Sequence, residues 1–210
     1  MAHTSNPALL ALHGLRLKGF AEASDIAALF GFSEDEFAER LAEVSASELV
    51  IHREGRVSGW SLTAAGRIEN ERLLSEEIDA VGCRDLVQSV YDQFLQLNGQ
   101  MLQVCTDWQV KDAEAEVLND HGDTGYDASV LARLAVLDDA VQPLAAELLS
   151  VLHRFSVYPR RFTFALEKLL AGELEWFTKP IVESYHTVWF EMHEDLLTSL
   201  GIDRASEGDH

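Results

Sequence analysis

The sequence predicts a mainly α-helical protein in two parts, with a small β-hairpin in the first part. Within residues 24–67, helix caps and apolar stripes are followed by a β-branched run and a glycine turn. Beyond Gly82, apolar residues recur at helical spacing and no strand pattern returns. We therefore expect an N-terminal unit of helices and a hairpin, residues 1–81, and an all-α unit, residues 82–210.

The first unit opens with three predicted helices. Residues 9–20 form the first, and residues 24–31 form a short second helix with a polar cap at its start and a C′ glycine at its end. Ser33 and Glu36 have the spacing of a capping box, so a third helix begins after a tight turn. Its apolar residues at i, i+4 and i+7 place one stripe inward: Phe37, Leu41 and Val44.

A two-stranded hairpin follows the third helix. Residues 49–53, with the β-branched Val50 and Ile51, predict a strand. Glu54 and Gly55 are typical of a turn, and residues 56–62 supply a return strand. Thr63 then caps a further helix that we expect to end at Gly82. Its predicted apolar positions are Ile68, Leu73, Leu74 and Ile78.

The run Leu62-Thr63-Ala64-Ala65-Gly66-Arg67 after the hairpin resembles the corresponding turn in winged-helix regulators of the MarR type. The resemblance covers the first unit alone. It implies a winged helix-turn-helix that binds duplex DNA and regulates transcription. A dimer is expected because two wings would then be spaced to meet a pseudo-palindromic site. Some members of this fold bind proteins instead. The basic residues expected to contact DNA are Arg16, Lys18, Arg40, Arg53 and Arg56.

The charge of the chain argues against direct base readout by the third helix. The net charge is −20, and the first 75 residues contain 7 Lys and Arg against 11 Asp and Glu. The third helix carries one basic residue, Arg40, and five acidic residues: Glu34, Asp35, Glu36, Glu39 and Glu43. Such a helix would be repelled by the phosphates of a DNA groove, whereas arginines at the hairpin turn could enter a minor groove. The alternative function is a protein-interaction module whose acidic helix meets a basic partner.

The second unit is predicted to consist of helices. A long amphipathic helix carries apolar residues at helical spacing: Leu86, Val90, Phe94, Leu97, Met101 and Val104. Further helices are expected near residues 131–137, at 143–152 with Pro143 in its first turn, at 160–170 and at 181–200. Residues 110–126 predict a solvated loop, because its acids do not follow the ligand pattern of an EF-hand.

The last predicted helix carries a group of aromatic and imidazole side chains. With Trp108, they are the candidate effector-binding residues: Tyr185, His186, Trp189 and His193. This face could line a pocket for an aromatic or acidic effector, or it could pack in the core. His186 and His193 are two helical turns apart, about 10 Å along the axis, so they cannot share a metal ion directly. We expect neither a metal nor a cofactor.

Residues 185–191, together with residues 106–109, are similar to a C-terminal region of actinobacterial regulator-like proteins and of some enzymes resembling pyruvate phosphate dikinases. The resemblance implies a helical module. Because the chain lacks the glycine-rich phosphate-binding segments of a dikinase and any recognisable nucleophile–base set, we do not expect an enzyme.

The remaining expectations concern location and assembly. With 47% hydrophobic residues, the chain can bury compact cores, yet it has no apolar run long enough for a membrane span and no visible secretion signal. Cys83 and Cys105 lie in apolar helical patterns and are expected to be buried thiols. We therefore expect a cytoplasmic homodimer without a membrane partner, in which residues 82–210 serve self-association and could sense an effector.

Overall fold

A computed structural model describes residues 1–112 and 117–203, and these residues are mainly helical. The predicted 110–126 loop and the C-terminal unit thus each extend partly outside the described residues. In chain order, the first unit contains α1 (Pro7–Lys18), α2 (Ala23–Phe30), α3 (Glu34–Ala46), β1 (Val50–Arg53), β2 (Gly59–Leu62) and α4 (Ala64–Val81). The second contains α5 (Arg84–Gln109), β3 (Val110–Asp112), β4 (Val117–Leu118), α6 (Thr124–Val151), α7 (Val157–Leu170) and α8 (Tyr185–Leu200).

The helix caps observed in the first unit agree with those predicted from the sequence, with one exception. The Ser33 side chain accepts from the Glu36 amide at the start of α3, which confirms the predicted capping box. Gly31 ends α2 in the left-handed conformation, as expected. The predicted cap at Ser24 is wrong, because Glu22 precedes α2 and forms a reciprocal box with Asp25.

The hairpin and α4 lie close to one another. β1 and β2 are antiparallel, with Val50 opposite Leu62, and both of these side chains are buried. Thr63 caps α4 and also donates its hydroxyl to the carbonyl oxygen of Leu49. α4 ends at Gly82 as predicted. Of its apolar residues, Leu74 and Ile78 are buried, whereas Ile68 is 69% exposed.

In the second unit, α5 and α6 are long antiparallel neighbours, and α7 and α8 pack against them. The prediction that a helix starts at Pro143 is wrong: Pro143 lies inside α6, which continues to Val151. α8 begins later than expected, at Tyr185, because the Ser184 side chain accepts from the Thr187 amide and caps the helix there.

The second unit also departs from the predicted all-α architecture. β3 and β4 form a short antiparallel pair, with Val110 opposite Leu118. Asn119 continues from this hairpin, and its amide group donates to Trp108 O and to Asp127 Oδ1. Within the described residues of the segment predicted to be a solvated loop, Asn119 is therefore bound to both α5 and α6, because its side-chain amide satisfies a backbone carbonyl and a carboxylate there.

Two hydrophobic cores meet across α1, α4 and α8. One is formed by α1–α3 and the hairpin, the other by α5–α8, and Phe30 packs against both. The N-terminal segment also crosses between the units, since the His3 amide donates to Val151 O and His3 O accepts from the His153 amide. Both cysteines are buried as predicted, and burial raises the pKa of Cys105 to about 11. No helix in the described ranges has the length and apolarity needed to cross a membrane.

Candidate interaction surface and interhelical cleft

The outward face of α3 is acidic. Its five carboxylate side chains are exposed: Glu34, Asp35, Glu36, Glu39 and Glu43. Arg40, the basic residue of this helix, is engaged by its neighbours: Nη1 lies 2.6 and 2.7 Å from the two carboxylate oxygens of Glu43. The Ser33 hydroxyl donates to Glu36 and lowers the pKa of that carboxyl, which keeps it ionised. The face therefore presents net negative charge.

The hairpin presents two exposed arginines. Arg53 ends β1 opposite Gly59, and Arg56 lies in the turn. The base of the hairpin is held by its buried residues and by the rings of His52 and Trp60, whose centroids lie 4.7 Å apart. The two guanidinium groups thus extend from an anchored strand pair, where they could reach a polyanion.

The other two predicted DNA-binding residues turn toward α8. Arg16 Nε donates to Glu194 Oε1 at 2.7 Å. Lys18 Nζ lies 2.9 Å from Glu191 Oε1 and also pairs with Glu183. Each side chain is 20% exposed or less. The five predicted DNA-binding residues are thus divided among three local environments, and these two contribute to an ionic interface inside the molecule.

The same interface contains a buried ionic cluster centred on Arg154. This fully buried side chain donates to Glu77 Oε2 of α4 at 2.9 Å and pairs with Asp195 of α8. Asp195 also accepts from the Tyr158 hydroxyl at 2.8 Å, and its Oδ2 lies 3.1 Å from Nε2 of His13 in α1. Four helices and the turn before α7 are therefore joined through polar and charged side chains that are withdrawn from water.

The electrostatics of this interface follow from burial and pairing. Burial opposes ionisation of Asp195, but Arg154 and His13 more than offset it and hold the pKa of that carboxyl well below its usual range. Burial similarly opposes the charge of Arg161, yet Glu191 and Glu183 raise its pKa overall. Burial raises the pKa of Tyr158, so its hydroxyl remains a donor. Pairing therefore favours the charged forms of both Arg154 and Asp195 in spite of their burial.

An open cleft of about 1460 Å³ lies between the C-terminal end of α1 and α2 on one side and α7 and α8 on the other. Lys18 and Arg161 lie along it, and both pair with Glu191 of α8. Large apolar side chains that are at least 39% exposed also line it: Phe20, Phe164, Ile181 and Phe190. The volume exceeds that of a typical small-molecule pocket. Its chemistry suits a ligand or peptide with apolar groups that can lie against these side chains.

The candidate effector residues of α8 lie on the core side of the helix. Trp189 is buried, stacks on Phe94 with 4.7 Å between ring centroids, and donates its indole N–H to Asn98. The buried His193 ring lies 5.3 Å from Phe94. Tyr185 is fully buried and donates its hydroxyl to Asp138. These contacts correspond to core packing, the alternative that the sequence left open.

Trp108 and His186 lie elsewhere in the same core. The Trp108 ring is buried between His121 and Phe177, at centroid distances of 4.4 and 4.7 Å. His186 is half-buried, its backbone amide donates to Phe177 O, and burial lowers the pKa of its imidazole. None of the five candidate effector residues is among the described residues that line the cleft.

The cleft is lined by the other face of α8, which sequence reasoning missed. Thr187, Phe190 and Glu191 lie there at helical spacing, directly beside the residues that were chosen. The pattern of α8 contains aromatic residues on both faces, so the periodicity alone does not distinguish the core face from the cleft face. The packing of α8 on α5 and α6 decides it, since Trp189 meets Phe94 and Tyr185 meets Asp138.

Comparison with known proteins adds no assignment: no protein-family model, no curated protein and no solved structure matches this chain. Among the described residues, no group of three or more His, Cys, Asp or Glu side chains is placed to hold a metal ion. The candidate interaction surface therefore consists of the acidic helix α3 and the hairpin that carries Arg53 and Arg56. Both belong to the first unit, which packs against the helical second unit.

Proposed function

We propose that residues 1–81 form a winged-helix unit and that the chain is a regulatory protein that acts through binding. The order of elements supports the first part of this proposal: α2 and α3 are joined by a turn at Gly31, and the β1–β2 hairpin follows directly. We assign no catalytic role to the chain and place its action in the cytoplasm, in keeping with the two buried free thiols.

The partner that fits this unit best is a basic protein segment bound by α3. The observation that carries the proposal is the exposed face of five carboxylates whose one arginine is already paired with Glu43. Duplex DNA would bring its phosphates against these carboxylates, and the like charges would repel one another. The release of counterions that drives DNA binding requires lysine or arginine at the contact instead. A lysine- or arginine-rich segment would instead gain Coulomb attraction along the helix.

A second candidate function is binding of duplex DNA through the hairpin. It is favoured by the exposed Arg53 and Arg56, which extend from the anchored strands and could enter a narrow minor groove. In this arrangement α3 would remain outside the groove, and phosphate contacts would come from the hairpin. Specificity would then depend on DNA shape.

The proposed protein partner can be tested with a displayed library of lysine- and arginine-rich peptides. We expect enriched peptides to bind the full chain and to lose at least about tenfold in affinity when α3 carries Glu34→Gln, Asp35→Asn and Glu39→Gln. This variant retains Glu36 for the cap and Glu43 for Arg40. The matched control, Asp85→Asn, Asp92→Asn and Glu147→Gln, removes the same number of exposed carboxylates from α5 and α6 and should bind like the wild type. Equal losses in the two variants, or no enrichment at all, would refute binding through α3.

The DNA alternative requires selection from a random duplex library, followed by titration of the selected sequence against salt. Binding through the hairpin predicts a motif whose affinity falls with salt and falls further in Arg53→Ala/Arg56→Ala. The control Arg133→Ala/Lys168→Ala removes two cations from the helical unit and should leave the affinity unchanged. Failure to select any motif at low salt would refute DNA binding by the free protein.

A further inference from the structure

Helices α2, α7 and α8 line the cleft between the two units, and each presents side chains at helical spacing. α7 supplies residues at i, i+3, i+7 and i+10: Val157, Arg160, Phe164 and Glu167. α8 and α2 each supply residues at i, i+3 and i+4: Thr187, Phe190 and Glu191 from α8, and Asp25, Ala28 and Leu29 from α2. A further helix laid in the cleft would therefore meet ridges with the same period as its own.

Large apolar side chains reach into the cleft from both units. Phe20 of the first unit is 39% exposed. On the side of the second unit, Ile181, Phe164 and Phe190 are 80%, 49% and 45% exposed. A group of large exposed apolar side chains on a water-facing surface is typical of a binding site. A bound molecule could cover all four and would then contact both units.

The size of the cleft favours a helix over a small molecule. Its volume of about 1460 Å³ exceeds the range of about 300–1,000 Å³ that is typical of small-molecule pockets. A helix is about 10 Å in diameter, so this volume corresponds to a helical segment about 19 Å long, which is about three turns. α7, beside which such a segment would lie, has 14 residues and is therefore long enough to support it.

α7 also carries two charges that the fold does not use. Among the described residues, neither the exposed Arg160 guanidinium nor the exposed Glu167 carboxylate has an ion-pair or hydrogen-bond partner. Arg160 lies in the first turn of α7 and Glu167 in the last turn. The helix dipole favours the opposite order, with the acid first and the base last. The order of these charges therefore does not stabilise α7, and both side chains face the cleft about 10 Å apart along the helix.

Other charged groups of the cleft are already engaged. Lys18 and Arg161 both pair with Glu183 and Glu191, so these four charges balance one another. Asp25 accepts from the Glu22 amide in the cap of α2. Arg160 and Glu167 are thus the charged side chains of α7 that a bound segment can pair with.

We propose that the cleft binds an amphipathic helix of about three turns that belongs to a partner protein. The apolar face of this helix lies against Phe20 on one side and Phe164 and Phe190 on the other. An acidic residue of the helix pairs with Arg160 and a basic residue pairs with Glu167, so the two are about two turns apart. This site is separate from the acidic face of α3, and the helix that it binds differs from the basic segment proposed for that face.

A displayed library of peptides of about 14 residues tests the proposal. Apolar residues are fixed at helical spacing, and the other positions are randomised. We expect enriched peptides to carry an acid and a base about two turns apart, and to lose at least about tenfold in affinity for the full chain with Ile181→Ser/Phe190→Ser. The matched control, Ile68→Ser/Val136→Ser, replaces side chains that are 69% and 65% exposed outside the cleft and should bind like the wild type. Circular dichroism establishes that each variant is folded.

A charge exchange tests the polarity of the site. Arg160→Glu/Glu167→Arg reverses both charges in the order that the dipole of α7 favours, so the variant should fold. We expect it to lose at least about tenfold in affinity for the selected peptide, and to regain that affinity when the acid and the base of the peptide are exchanged. No enrichment, an equal loss in the Ile68→Ser/Val136→Ser control, or no response of either peptide to the charge exchange would overturn the proposal.

The outcome is independent of the function proposed for α3. The variant Glu34→Gln/Asp35→Asn/Glu39→Gln should bind the selected helical peptides like the wild type, because these residues are absent from the lining of the cleft. The binding of basic peptides to α3 should likewise be unaffected by Ile181→Ser/Phe190→Ser. Failure of one site can therefore be distinguished from failure of the other.

Discussion

Nε2 of His13 in α1 lies 3.1 Å from Oδ2 of Asp195 in α8, and both side chains are almost completely buried. This contact joins α1 to α8, the first and last of the described helices. Arg154 completes the cluster by pairing with both Asp195 and Glu77. The relative position of the two units is therefore fixed by charged groups as well as by apolar packing, and several consequences can be measured.

The first prediction concerns the central cation. Arg154→Met should lower the free energy of unfolding by about 3–5 kcal/mol, because Glu77 and Asp195 would remain buried without their cation. Urea unfolding at neutral pH measures the change. The control is Arg72→Met, whose guanidinium also pairs with two carboxylates, Glu69 and Glu76, but is exposed, so little change is expected. Equal stability of the two variants would contradict the role assigned to the cluster.

The second prediction is the response of stability to acid. Because Arg154 and His13 hold the pKa of Asp195 below its unfolded value of about 3.9, ionised Asp195 stabilises the fold above that pH. This contribution should decrease as the pH falls below about 5 and continue to decrease through the lowered pKa of the folded state. Urea unfolding at a series of pH values should show a shallower acid dependence for Asp195→Asn than for the wild type. Parallel curves would show that Asp195 does not contribute.

The third prediction compares one substitution at two glycines. A Cβ at Gly66 would overlap the carbonyl oxygen of Leu49, where α4 begins against the hairpin, so Gly66→Ala should destabilise by about 1–3 kcal/mol. At Gly99, in the middle of α5, the Cβ would meet open space, and Gly99→Ala should stabilise by about 0.5–1 kcal/mol. Thermal unfolding at low protein concentration measures both. The same sign for the two changes would contradict the packing of α4 on the hairpin.

The fourth prediction separates the two faces of α8. Trp189→Ala should destabilise by about 3–5 kcal/mol, since this buried indole stacks on Phe94 and donates to Asn98. Phe190→Ala, one residue later, removes a side chain that is 45% exposed in the cleft and should have a much smaller effect. Urea unfolding of the two variants is sufficient. A larger loss for Phe190→Ala would reverse the assignment of the faces.

Much of the first unit could be predicted because its signals are local. A serine three residues before a glutamate at the start of α3, and a glycine after α4, act through the backbone of their own segment. The errors arise where a local signal is overridden. Pro143 is typical of a helix start, yet α6 continues through it, because its apolar residues on both sides pack into one core.

The sequence alone determined the helical character of the chain, its hairpin and the acidic face of α3, since these follow from caps, periodicity and charge within short segments. Tertiary structure decided which face of α8 packs in the core and which face lines the cleft. It also decided that Arg16 and Lys18 form ion pairs with Glu194 and Glu191 instead of facing solvent. The reason is physical: a cap or stripe depends on neighbours within a few residues, whereas burial and pairing depend on groups about 180 positions apart in the chain.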